Sequence, residues 1–136
     1  MVRTILAVIG MSALICSAHA LSPEDEAARD IALQWLQVVD SGNYKDAALM
    51  MSEAVRGSRD WSNYLAAQRA ALGRVNKRYP VEVKHASTFP GAAGIRNYDI
   101  IRFKTSFERR SSALEEVVLA KIGCCWEIVG YEIKEK

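Results

Sequence analysis

His85, Asp99 and the adjacent pair Cys124–Cys125 are the side chains with which this sequence could do chemistry, and their spacing narrows the choice. A structural zinc site needs two pairs of cysteine or histidine ligands at short spacings, and one adjacent cysteine pair lacks the second. No metal centre and no cofactor are therefore expected. No Gly-x-Ser-x-Gly motif is present, and His85 stands alone as an imidazole base beyond residue 20, so no catalytic residue is expected either. Asp99, beside Tyr98, has one enzymatic reading. A carboxylate held in an apolar cone has a raised pKa and serves as acid or base. Its place just after the run Phe89-Pro90-Gly91-Ala92-Ala93-Gly94 reads instead as a solvated start of a strand. Tyr98, Arg102 and Tyr131 are candidate ligand-binding residues on the open side of a curved sheet, where a pocket with a few polar groups can form. The competing reading makes Arg102 and Lys104 a watered face opposite Glu115 and Glu132.

The two thiols have their own geometry. Neighbouring Cα atoms lie about 3.8 Å apart, below the usual disulfide range of roughly 4.4–6.8 Å. In an extended strand the two sulfurs also point to opposite faces. Cys124 and Cys125 are thus expected as free thiols, one buried and the other able to link two chains, unless Gly123 turns the backbone there.

These residues must be positioned by the stretch from Ile95 to Ile133. Ile101, Phe103 and Phe107 share one parity there, and Arg102, Lys104 and Glu108 the other, the alternation of a half-buried strand. Leu114 to Ile122 and Trp126 to Ile133 follow as two more strands, with Gly130 a candidate bulge. Upstream, Val75, Tyr79, Val81 and Val83 form the inward parity of a first strand, and Pro80 marks an edge or a bulge. Short links make the four an antiparallel meander.

Three helices are predicted before the sheet. Ser22-Pro23-Glu24-Asp25 is a helix start, with a hydroxyl cap, proline at the first position and acids against the dipole. Ala28, Ile31, Ala32, Trp35, Leu36 and Val39 continue it as one apolar stripe, ending at Gly42. A second helix runs from Tyr44 to about Ser52, and a third, capped by Ser58, carries Trp61, Leu65 and Leu72 to Gly73. Trp35, Trp61 and Trp126 all fall in register with apolar stripes and read as core anchors. Helices on one face of an antiparallel sheet give an α+β class.

The 136 residues are half apolar and a quarter charged, with a formal net charge of +2 and the signs interspersed. This suits one domain and lacks the basic stripe of a nucleic-acid binder. Arg3, the apolar run Ile5 to Ile15 and Ala18-His19-Ala20 have the form of a signal peptide cleaved after Ala20. The expected organisation is a signal peptide over 1–20 and one domain over 21–136, periplasmic or secreted. No later run reaches the roughly 20 apolar residues of a membrane span.

Trp35-Leu36, Asp40-Ser41-Gly42-Asn43-Tyr44, Trp61, Leu72-Gly73, Arg78, Phe89-Pro90-Gly91, Phe107, Glu115 and Trp126 to Ile133 occur in an order that resembles the DUF4019 family, small exported bacterial proteins of unknown function. The likeness covers roughly Ala27 to Lys134. It implies a small domain of cystatin-like or NTF2-like kind and supplies no catalytic residue. One departure is visible: Gly123-Cys124-Cys125 stands where the family tends to have Asp-Gly before the last-strand tryptophan. The expected function is a non-catalytic binding or interaction module with a protein or small-molecule partner, a homodimer being one form. The alternative is a small hydrolase or isomerase with a carboxylate in a cone-shaped pocket.

Overall fold

A computed structural model of the chain describes residues 21–86 and 97–134. The segment 1–20 expected to be a signal peptide and the turn expected over Phe89–Gly94 lie outside the described residues. Four helices precede the sheet rather than three: α1 Pro23–Asp40, α2 Tyr44–Leu49, α3 Glu53–Arg56 and α4 Trp61–Arg69. Four strands come after them, β1 Val75–Ala86, β2 Tyr98–Phe107, β3 Arg110–Ile122 and β4 Cys125–Lys134. They pair antiparallel in the order β1-β2-β3-β4, the expected α+β meander.

α1 begins as its sequence dictates. Ser22 Oγ accepts from the Asp25 amide at 3.1 Å, with Pro23 inside the first turn and Glu24, Asp25 and Glu26 against the dipole. Its stripe of Ala28, Ala32, Trp35, Leu36 and Val39 is buried across β2, β3 and β4. Gly42 takes φ +79, the left-handed stop that a helix C-terminus favours.

The predicted second helix is cut in two by a tie to the sheet. The Ser52 amide donates to the Ile128 carbonyl of β4 at 2.8 Å, and Ser52 Oγ accepts from the Ala54 amide to start α3. Both tryptophans nearby lock this path. Trp35 Nε1 donates to the Ala47 carbonyl at 2.9 Å and Trp61 Nε1 to the Val55 carbonyl at 2.7 Å. Ser58 does not cap α4; its hydroxyl closes α3 on the Val55 carbonyl, and Asp60 is the cap, accepting from the Asn63 amide. Leu72 falls beyond α4 and packs with Phe107 and Ala113. Trp126 is also corrected, being half-buried where Trp35 is 1% exposed.

β1 carries two extra residues. The ladder to β2 steps from Val75–Phe107 to Lys77–Ser106, and from Pro80–Phe103 to Glu82–Arg102, leaving Asn76 and Val81 without partners. Each bulge exchanges the faces of the strand residues beyond it. The simple parity of Tyr79 and Val81 therefore fails: both are exposed, and Arg78 opposite Thr105 turns inward instead. In β4 the expected bulge falls at Val129, between Ile128 and Gly130.

Arg78 meets charges that a simple sheet would leave in water. Its Nε donates to Glu115 at 2.7 Å and its Nη1 and Nη2 to Asp40 at 2.7 and 2.9 Å. Glu115 is wholly buried and also accepts from Thr105 Oγ1 at 2.5 Å and from the Tyr131 hydroxyl. Arg69 Nη2 reaches Asp40 at 2.9 Å and lays its guanidinium over Phe107. Burial and Glu115 push the Tyr131 phenol well above its ordinary value, so it remains a donor. Burial would raise the Asp40 carboxyl, but Arg78 and then Arg69 outweigh it and hold it below its ordinary 3.8.

A carboxyl whose folded pKa lies below its unfolded one contributes stability above the unfolded value and loses it as pH falls through the folded one. The melting temperature is thus expected to drop as pH falls below about 4, the unfolded range of aspartate. Asp40→Asn should flatten that acid limb. Thermal unfolding by circular dichroism from pH 7 to 2 checks this, and an unchanged acid limb in the variant would count against it.

Candidate functional site

At one end of the sheet, the finish of β1, the start of β2, the β3–β4 hairpin and the N-terminus of α1 come together. They enclose an open cleft of about 640 Å³ lined by Glu24, His85, Ala86, Asn97, Tyr98, Asp99, Lys121 and Trp126. That volume lies within the usual range for small-molecule sites. Tyr98 and Trp126 supply aromatic wall, and the charged groups sit between them.

His85 and Asp99 are cross-strand partners, brought onto one face because Val81 has already shifted the parity of β1. His85 Nδ1 lies 2.5 Å from Asp99 Oδ1, and His85 Nε2 lies 3.5 Å from Asp25 Oδ1 in the first turn of α1. The imidazole is mostly exposed, whereas Asp99 is 1% exposed. This corrects the solvated strand start: the position after the turn is closed over, and Asp99 Oδ2 is buried with no hydrogen-bond partner. Burial first, then the neighbouring Asp25 carboxyl, raise Asp99 to about 6 against the opposing pull of His85. Desolvation works against a charged His85, but Asp99 and Asp25 outweigh it and raise its pKa. On the rim, Lys121 is paired with Glu24.

The three predicted ligand-binding residues are not gathered in one place. Tyr98 is buried and lines the cleft. Arg102 points to the other side of β2 from Asp99 and is held by Glu82 at 3.0 Å and Glu116 at 3.1 Å. Tyr131 packs edge-on to Trp35 with its hydroxyl on Glu115. The watered-face reading of Arg102 stands, but its partners are Glu82 and Glu116, since Glu115 faces the core.

The free-thiol expectation is overturned. Cys124 and Cys125 are joined by a disulfide within the chain, and both are exposed. Gly123 and Cys124 form the two-residue turn between Ile122 and Cys125, with Gly123 at φ +63. Cys124 therefore lies in a turn, where strand alternation does not separate the sulfurs.

Asp25 was missed as a site residue because a first-turn acid is fully accounted for by the helix dipole. Arg78 was missed through the bulges. Glu115 did carry a signal, sharing the parity of the buried Val117 and Leu119.

The comparison with protein families decides the kinship. A model described as Protein of unknown function (DUF4019) matches residues 31–131. The chain belongs to this family. Neither the curated proteins nor the solved structures compared with it give a match. Within the DUF4019 match fall Trp35, Asp40, Arg78, His85, Asp99, Glu115 and Tyr131, so the buried charge cluster and the His85–Asp99 pair of the cleft lie inside the family domain. Asp25 and Glu24 lie just before it.

Proposed function

We propose that this DUF4019 protein is an exported, periplasmic, non-catalytic binding module that holds a small polar ligand in the cleft at the hairpin end of its sheet. The observation that carries the reading is the composition of that cleft: two aromatic side chains flank Asp99, His85, Lys121 and Glu24 in a concavity of ligand size. Export is supported by the apolar run before Ala18-His19-Ala20. Among the described lining residues no serine, threonine or cysteine offers a nucleophile, and the cleft is open to solvent. We attach a cystatin-like or NTF2-like arrangement to this reading, supported by one long helix laid across a four-stranded meander.

A second reading rests on Asp99. A buried carboxyl raised to about 6 and set 2.5 Å from an imidazole suits acid–base work in a small hydrolase or isomerase.

Mass spectrometry of small molecules released on denaturing the periplasmic protein tests both. A stoichiometric polar compound, lost from Trp126→Ala, is the expected result. Recovery of the same compound chemically altered after incubation with the protein would replace the binding module with the enzyme.

A further inference from the structure

We propose that Asp25, His85 and Asp99 form a binding site for a divalent transition-metal ion of the zinc class, where His85 and Asp99 line the cleft. The proposal deepens the binding reading, since it names a cation as an occupant of the same cleft. Three observations carry it.

The first is convergence. One ligand atom from each of the three side chains lies within 4.8 Å of the other two, although they come from α1, β1 and β2. Ligands about 2.0–2.2 Å from a common ion are separated by roughly 3.3–4.4 Å. Closing the shell draws in the widest of these separations by a few tenths of an ångström and requires the 2.5 Å contact between His85 Nδ1 and Asp99 Oδ1 to open. The second is donor chemistry. One imidazole and two carboxylates are ligands that zinc and its neighbours accept, and three protein ligands leave a fourth position toward the cleft for water or a bound molecule.

The third is an unmet need inside the protein. Asp99 Oδ2 is buried without a hydrogen-bond partner, in a residue 1% exposed. A buried acceptor of this kind is costly unless something satisfies it. The 3.5 Å between His85 Nε2 and Asp25 Oδ1 is also too long for a good hydrogen bond, but close to the spacing of two ligands on one tetrahedral ion. Two carboxylates flank the one imidazole, a donor set that suits a divalent cation.

The nearest other charges face the rim. Lys121 is engaged by Glu24 and is the cation that lines the cleft among its described residues apart from His85. The disulfide of Cys124 and Cys125 removes those sulfurs as competing ligands.

The test is equilibrium dialysis of the chelator-stripped, oxidised full chain against Zn²⁺ alone, with Co²⁺ absorption reporting the ligand set. One equivalent is expected, with Co²⁺ bands of a nitrogen–oxygen shell. His85→Ala and Asp25→Asn should each weaken binding at least tenfold while circular dichroism remains that of the wild type. Asp25 is the safer of the two positions for folding, because it sits in the first turn of a helix. Absence of uptake by the wild type would overturn the proposal, as would uptake equal in both variants or a sulfur-to-cobalt band. A small molecule kept in the cleft after chelation, without metal uptake, would overturn the metal and leave the binding module. Metal uptake with no small molecule recovered would do the reverse.

Discussion

Arg78→Met is expected to lower the free energy of unfolding by about 3–5 kcal/mol, the usual effect of removing one partner from a buried charge pair. The arginine side chain is 11% exposed and bridges Asp40 and Glu115. Without it Glu115 keeps Thr105 and Tyr131 as donors but loses the cation that balances its charge in a site with no exposure. Asp40 retains Arg69, so the damage concentrates on Glu115. Replacing Glu115 by leucine in the same chain should recover a large part of the loss, because an apolar pair avoids the desolvation that a lone charge suffers. Urea unfolding of the two single variants and the double variant measures this as a cycle. A loss below about 1 kcal/mol in Arg78→Met would mean that water reaches Glu115.

Trp35→Ala is expected to have an effect of the same size, about 3–5 kcal/mol, from lost apolar contact and the cavity that remains. Its indole is 1% exposed, sits edge-on to Tyr131 at 5.4 Å between centroids, and donates to the Ala47 carbonyl. Alanine therefore also leaves a buried carbonyl at the end of α2 without its donor. Trp126→Ala should cost clearly less, since that ring is half-buried at the cleft. The order of urea midpoints, at equal slope, checks the comparison. Equal losses at the two positions would place Trp126 in the core after all.

Much of this fold is legible in the sequence because the strongest signals are local. Ser22-Pro23 sets the start of α1, the stripe through Trp35 and Leu36 sets its buried face, and the alternation of Ile101, Phe103 and Phe107 sets the inner side of β2. The extra helix was hidden because its cause is distant: the Ser52 amide is claimed by Ile128, far along the chain. The same holds for the site. Asp99 could be singled out beside Tyr98, but its burial to 1% exposure is set by tertiary packing rather than by its neighbours in sequence. The alternation rule misplaced Arg78 and Tyr79 because a bulge changes the face without changing the residue types around it. The cysteines show the opposite error, a strand rule applied to a residue that Gly123 places in a turn.

The two spare residues of β1 give the strand a frame, in the sense that a coding sequence has one. Loss of Val81 would merely straighten the ladder, leaving Val83 opposite Ile101 and His85 opposite Asp99. Loss of Asn76 would do the same for Arg78 and Thr105. Loss of Lys84 has no such neutral outcome. Either His85 moves to the face away from Asp99, or the bulge at Val81 is consumed and Glu82 turns onto the core in place of Val83. Length changes in this strand are therefore tolerated at two points and disruptive between Glu82 and His85, so the cleft and the buried arginine are protected by the number of residues in β1 as much as by their identities.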